Sequence, residues 1–548
     1  MSLTQKLGKK GRFAKVSLGT PDFIWYTLEW KKLQLIMDFC EMENRPLHSI
    51  DFPRPLVWSL GLLTVAIIFK SFNQLYADYD LWWHIFIGKE ILLQTALEPF
   101  DIYSFTAFGH PYINHEWLSE IIMAAFYSMG KNAGLIFWRW IMAGVILLLS
   151  LNLVKQRAQH DLSRIIVFLL IALVLGPGIS FRVQLFSYVF LLLLLNLVYS
   201  TRLQRTWPMV FIVTILFIIW ANLHGAFVLG LLIYCIYIAE RIYFRHLKTR
   251  RWTELLAFLV PITATLVNPY GTGLWGFIYD EISNPVSSRY ITEWQHFTFA
   301  PREIPFFIAA SLTWIVYFFS GRKKGIAETA ILVLASIMGI MAVRNTPLFV
   351  ILTLPTMAYH LDGAILRIWG KSTQGKPLSR IPVYGSALMF LSIAAFFFAQ
   401  GLPERWQVSI GDDPLPVQST AFIKANDFKG NLWVPLHFGG YVLFHLYPDI
   451  KVSIDGRWTM VYPRDVMKDN MAFAFHGTGG KWKEVLEKYG ADFALVEAKN
   501  PAIREMSEDP DWQWVFSETS AGLLVKKDYL RSHRFPLRIP PKKTPSWP

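Results

Sequence analysis

Asp78 and Asp80, in the run Asp78-Tyr79-Asp80-Leu81-Trp82-Trp83-His84, have the type and spacing for chemistry. Two carboxylates one residue apart let one act as a base while the other orients a proton or a metal. The same stretch continues through Gly88 and a Pro99-Phe100-Asp101 turn to Asn114-His115-Glu116-Trp117. Later polar residues fall at the edges of apolar stretches: Arg182 and Gln184, Asn222 and His224, Asn268 to Gly271, Glu293 and Trp294, and Arg344 and Asn345. Arginine offers a fixed fork of donors that matches phosphate oxygens and keeps its charge. Together these residues can form a ring of donors and acceptors around a membrane-level cavity. Taken singly, each has a plainer reading. Asp78 and Asp80 could cap a helix containing Trp82 to Leu93, tryptophans suit a membrane interface as well as a sugar face, and an arginine at a span end can snorkel to head groups.

The elements that must position this set are apolar. The chain has 548 residues, 53% hydrophobic, 16% aromatic and 17% charged, with a mean hydropathy of +0.34. No soluble domain of this size needs that much apolar surface. The net charge of +13 lies largely in short loops beside apolar runs, which points to orientation in a bilayer and away from nucleic acid. Cys40 and Cys235 are too few and too badly placed for a disulfide framework.

Eleven spans are expected, at about 56–76, 133–154, 164–180, 185–200, 207–221, 226–240, 253–267, 304–320, 326–342, 346–361 and 382–400. The apolar segment Trp117 to Met129 is read as a membrane-edge helix. Counting it as a crossing would place Lys155, Arg157, Arg164, Arg202, Arg205, Arg241, Arg245, Lys248, Arg250, Arg251 and Arg322 to Lys324 outside, against the positive-inside rule. The basic tail 1–55, with an interfacial helix or loose chain over Phe23 to Phe39, is therefore expected in the cytoplasm. The candidate residues then face the other side, within or near a large first external loop, 77–132.

After Gln400 the apolar runs shorten to strand length. An external α/β domain is expected over 401–530, followed by a basic, proline-rich tail, 531–548. Leu432 to Leu436, Lys451 to Ile454, Phe493 to Glu497 and Ala521 to Lys526 read as strands, and Pro416 to Asn426 and Gly480 to Tyr489 as helices. Gly439-Gly440-Tyr441 reads as a turn, and Asp455-Gly456-Arg457 as either a loop tie or a binding segment after a strand.

An acidic pair after the first span, a long first external loop, many spans and a carboxyl-terminal external domain resemble the C-type (GT-C) glycosyltransferases. The stretch Asn114 through Arg157, with Gly130, Arg139 and Lys155, is similar to the aminoarabinose transferase and protein mannosyltransferase branch. The whole chain resembles a group of bacterial membrane proteins with the Asp-x-Asp-Leu-Trp-Trp-His, Asn-His-Glu-Trp, Gly-Gly-Tyr and Asp-Gly-Arg patterns. The resemblance implies a polytopic α-helical membrane protein of the bacterial inner membrane. Its reaction would transfer a sugar from a polyprenyl-phosphate donor to a glycan, lipid or protein acceptor at the external face, with inversion. It implies Asp78 or Asp80 as the base, with Asp78 preferred because it comes first after the span. Arg182 and Arg344 would hold the donor phosphate, and His84, His115, Glu116, Asn222, His224 and Glu293 would orient substrate. A divalent metal is compatible with the acidic pair, although His115-Glu116 lacks the spacing of a helical zinc motif.

Two other classes remain open. A transporter or flippase of lipid-linked saccharide would carry polar residues at mid-membrane depth on broken helices. A non-catalytic envelope assembly protein would leave Asp78 and Asp80 without a role.

Overall fold

The computed structural model describes residues 53–73, 75–200, 206–244, 251–283, 289, 291–372, 380–400, 408–410, 415–532 and 537–539. The expected amino-terminal helix, Arg202, Arg205, Arg245, Lys248, Arg250 and most of the carboxyl-terminal tail lie outside the described residues.

Each of the eleven apolar segments coincides with a helix. They are α1 (Arg54–Asn73), α3 (Trp117–Arg157), α4 (Asp161–Leu175), α5 (Gln184–Tyr199), α6 (Thr206–Ala221), α7 (Phe227–Phe244), α8 (Arg251–Ala264), α10 (Ile304–Phe319), α11 (Ile326–Met341), α12 (Thr346–Ser372) and α13 (Arg380–Gln400). Between them lie β1 (Tyr76–Ala77), α2 (Asp80–Gln94) and α9 (Gly273–Ile282). Among the described residues, six helical segments are long and apolar enough to cross a membrane, and shorter apolar helices accompany them. The protein is an integral membrane protein.

Helix α3 is two pieces. Gly130 and Lys131 leave helical geometry, so Trp117 to Met129 is a helical piece separate from the apolar run that follows. The pieces meet closely, since a Cβ at Gly134 would collide with the Phe126 carbonyl. Arg139, just beyond the break, is 1% exposed. Its guanidinium donates to the carbonyls of Ile179, Phe72 and Ser71 at 2.8, 2.6 and 2.6 Å. Carbonyls at a helix end lack partners within the helix, and this arginine supplies them at the end of α1. It therefore serves structure.

At the opposite end of the bundle, Tyr359 lies between the guanidinium groups of Arg157 and Arg322, each 4.4 Å from its ring. Asp362 accepts from Arg322 at 2.8 Å and pairs with His160 at 2.9 Å. The basic loops thus converge away from the Asp78 end.

Helices α1 and α13 pack together, and the chain leaving each forms a parallel pair, Tyr76↔Ser409 and Ala77↔Ile410, between β1 and β2 (Ser409–Ile410). The following segment builds a five-stranded mixed sheet in the order β4-β3-β5-β7-β6. Its strands are β3 (Gly430–Trp433), β4 (Ile450–Val452), β5 (Phe493–Glu497), β6 (Trp512–Ser517) and β7 (Ala521–Lys526). Helices α14 (Val417–Ala425), α15 (Leu436–Leu446), α16 (Arg464–His476), α17 (Lys481–Tyr489), α18 (Ile503–Glu508) and α19 (Lys527–Arg531) complete it.

The first loop is part of this α/β unit. Trp83, Phe86, Ile87 and Tyr103 share one apolar core with Leu432, Val442, Phe493 and Leu523. Ser104 bridges to Val452 in parallel register, and the Phe105 amide donates to the Val452 carbonyl at 3.1 Å. Burial of these side chains, each worth about 1.5–3 kcal/mol, makes the loop and the sheet one packed body.

Gly439-Gly440-Tyr441 corrects the turn reading, because it lies inside α15. Close packing, and not chain reversal, accounts for these glycines, strictly at Gly439 and more loosely at Gly440. A Cβ on Gly439 would collide with the Ile454 carbonyl, and one on Gly440 would stand 3.3 Å from the Trp83 backbone nitrogen and Cβ.

Candidate active site

Asp78 follows β1, and Asp80 begins α2. Neither side chain caps that helix: its N-cap is Tyr79, with no side-chain cap hydrogen bond. Asp78 instead forms an ion pair with Arg182. Arg182 lies between α4 and α5 and also donates to Glu293, with Nη1–Oε2 2.8 Å and Nη2–Oε1 2.7 Å. One guanidinium therefore joins two carboxylates that are far apart in the chain.

Asp80 has a different environment. Its Oδ1 accepts the Trp83 indole N–H at 3.1 Å. Burial pushes its carboxyl up to about 7; the Trp83 hydrogen bond and Arg344 oppose the rise, while Glu293 and Glu116 add to it. Glu293 moves the other way. Burial would raise it, but Arg182, with Arg344 and Arg302, outweighs burial and holds it below the usual carboxylate range.

Trp82 and Trp83 are 1% and 2% exposed, which corrects their reading as interface or sugar-facing rings. Trp82 packs on Tyr441 and Phe444, with ring centroids 5.0 and 5.1 Å apart.

Beside this pair stands a second cluster. Glu116 Oε1 is 3.5 Å from the Nε2 of both His115 and His224. His224 Nδ1 accepts the Ala226 amide at 3.1 Å and lies 2.9 Å from Ser187 Oγ. The Trp220 indole donates to that same serine oxygen at 2.8 Å. This chain assigns the ring proton of neutral His224 to Nε2, directed at Glu116. Burial lowers His115 and His84 to about 3 and His224 well below its ordinary value, so all three are neutral at physiological pH. Burial, reinforced by Glu120, raises Glu116 well above the usual carboxylate range, which favours its protonated form.

Glu120 was not anticipated from the sequence. It is fully buried, accepts from Asn114 Nδ2 at 2.5 Å and faces His84 Nδ1 at 3.4 Å. Its signal is a carboxylate in an apolar helix four residues after Glu116. Asn222 is fully engaged by protein: it accepts from the Trp117 indole at 3.1 Å and donates to the carbonyls of Ile218 and Val267 at 2.8 Å each. It ties α3, α6 and the end of α8 together.

Arg344, between α11 and α12, lays its guanidinium 4.2 Å from the Trp294 ring centroid. Among the described residues it has no carboxylate partner. Its charge nevertheless acts on Asp80, His115, Glu116, His224, Glu281 and Glu293. The two clusters are thus one electrostatic site at one end of the bundle.

Among the described residues, no three His, Cys, Asp or Glu side chains form a set able to hold a metal ion. With Asp78 on Arg182 and Asp80 on Trp83, the arrangement does not make a metal cradle, and no step below is routed through one.

No family model and no curated protein matches this chain. Solved structures match it in fold. The oligosaccharyltransferase of Archaeoglobus fulgidus, tethered to an acceptor peptide containing an NVT sequon, aligns with a TM-score of 0.51 and 12% identity over 80% of this chain and 69% of its own. ArnT from Cupriavidus metallidurans gives 0.46 and 11% over 85% and 97%. Arabinofuranosyltransferase AftD from Mycobacteria gives 0.49 and 13% over 85% and 41%. The chain shares the fold of the archaeal oligosaccharyltransferase over the aligned residues.

Proposed function

We propose that this protein is a membrane glycosyltransferase that moves a sugar from a polyprenyl-phosphate carrier to an acceptor hydroxyl or amide at the external face. The observation that carries the reading is the contrast between two neighbouring carboxylates beside an arginine that, among the described residues, has no carboxylate partner. Asp78 is ion-paired with Arg182, Asp80 accepts the Trp83 indole N–H and is pushed by burial up to about 7, and Arg344 keeps its donor fork without an acidic partner among the described residues.

In this reading Asp80 is the base, because a general base works best with a pKa near the operating pH. The acceptor oxygen or nitrogen attacks the anomeric carbon as its proton passes to Asp80. The bond from that carbon to the phosphate oxygen breaks, its electron pair leaves with polyprenyl phosphate, and the configuration inverts. Arg344 stabilises the charge that gathers on the departing phosphate. Arg182 holds Asp78 and Glu293 as one wall of the site, and protonated Glu116 with neutral His115, His224 and His84 orients sugar hydroxyls. In this reading the basic side chains Arg157 and Arg322, gathered away from this site, face the cytoplasm, and the chain makes eleven crossings with a cytoplasmic amino terminus and an external α/β unit. The archaeal neighbour's acceptor is a peptide, which makes a polypeptide one acceptor class to test beside glycans and lipids.

The test uses purified full-length protein in detergent with synthetic polyprenyl-phosphate sugars and a panel of acceptors. Release of polyprenyl phosphate coupled to acceptor glycosylation, and lost in Asp80→Asn, supports the reading. In proteoliposomes, movement of intact lipid-linked saccharide without cleavage would replace it with transport.

A further inference from the structure

We propose that the Asp455-Gly456-Arg457 turn of the α/β unit is a positioning element for Asp80: its backbone closes over the Asp80–Trp83 hydrogen bond and holds that carboxylate in place. The inference rests on the reading of Asp80 as the base and adds a device that sets its geometry.

Gly456 lies against the two atoms that make the hydrogen bond. A Cβ there would fall within 3.0 Å of Trp83 Nε1 and Asp80 Oδ1, both closer than real Cβ contacts. Gly456 is not among the glycines with positive φ, so space and not backbone conformation requires a glycine. Two further contacts close a ring around the pair. Gly440 sits against the backbone of Trp83 and the Tyr79 carbonyl, and its neighbour Gly439 sits against Ile454 and Asp455. The chain thus passes from Trp83 through α15 to the turn by close approaches at Gly440 and Gly439, and returns at Gly456 to the side chains of Asp80 and Trp83.

The turn is anchored by ions on both sides. Arg457 is fully buried and donates to Asp455 at 2.9 and 2.7 Å and to Asp101 at 2.6 Å. Burial acts against its charge, but Asp101 and Asp455 outweigh it and keep it protonated. Asp101 belongs to the first loop and is itself held by the amides of Tyr103 and Ser104 at 3.3 and 3.1 Å. An ion pair so desolvated holds its geometry because losing one partner leaves a buried charge. The turn therefore cannot drift away from Asp80 without separating Arg457 from Asp101.

The test reads Asp80 directly, with full-length protein in detergent labelled with 5-fluorotryptophan. The Trp83 resonance is the one absent from Trp83→Phe. In wild type it should titrate with a midpoint near 7, and the titration should vanish in Asp80→Asn. Glu293, Glu116 and Arg344 also act on Asp80, so Glu293→Gln and Glu116→Gln controls separate their titration from its own. Gly456→Ala should admit water, relieve the burial that raises Asp80, and lower the midpoint by about one pH unit or more. Gly440→Ala, whose nearest contacts are 3.3 Å, should fold and give a smaller shift in the same direction. Unchanged resonance and midpoint in both folded variants, or in Gly440→Ala alone should Gly456→Ala not fold, would overturn the proposal. If the midpoint shifts while Asp80→Asn leaves the cell's glycoconjugates intact, positioning stands and the role of Asp80 as base falls.

Discussion

Arg344 places its guanidinium over the Trp294 ring, 4.2 Å from the centroid, while Arg182, across the same site, is gripped by Asp78 and Glu293. A cation–π contact holds a guanidinium near a ring without using its donors. The two arginines, equivalent in the sequence, are therefore unequal in the fold. Arg344→Lys keeps the charge but loses both the fork and this ring contact, and should lower sugar transfer about 10²-fold, with Arg344→Ala lower still. Donor turnover by the full-length variants measures this; retention of wild-type turnover in Arg344→Lys would show that a point charge suffices.

Asp80 must be ionised to accept a proton. With its carboxyl near 7, transfer should rise about tenfold per pH unit below that value and level off above it. A group raised by burial also makes the folded state less stable as pH climbs from its ordinary value through 7, because the native protein binds the extra proton. Asp80→Asn should thus be inactive yet at least as heat-stable as wild type at pH 8, which detergent-phase melting records.

Burial raises Glu116 well above the usual carboxylate range and favours its neutral form, so an amide of the same shape should replace it. Glu116→Gln should keep most activity and stability, and Glu116→Ala should lose both. Comparing the pair by turnover and melting checks the protonation state without titrating it.

Arg457→Leu should destabilise the protein by about 3–5 kcal/mol, since Asp101 and Asp455 would be left buried without their cation. Loss of folded protein after solubilisation, with the distant Arg504→Leu as an exposed control, reads this directly.

Much of this architecture was legible because hydrophobic period and run length are local. Each apolar segment falls on a helix, though ends such as those of α4, α7 and α12 differ by several residues, and the helix break at Gly130 and strands β5 and β7 emerged closely. Helix α15 was hidden by Gly439 and Gly440, which signal a turn unless a neighbouring backbone needs their space. β6 and α16 also went unread. Within the site, residue types pointed to Asp78, Asp80, Arg182, Glu293 and Arg344. The partner choices did not follow, because Asp78 meets Arg182 and Arg457 meets Asp101 only through the folded chain.

The central claim is that Asp80 is the base of a lipid-linked sugar transfer. The most direct measurement compares glycoconjugates and polyprenyl-phosphate sugars in cells carrying wild type, Asp78→Asn and Asp80→Asn at equal membrane abundance. The account predicts loss of one glycoconjugate with accumulation of its lipid-linked donor in Asp80→Asn, and a partial loss in Asp78→Asn. Unchanged glycans in Asp80→Asn, where deletion of the whole protein alters them, would contradict it.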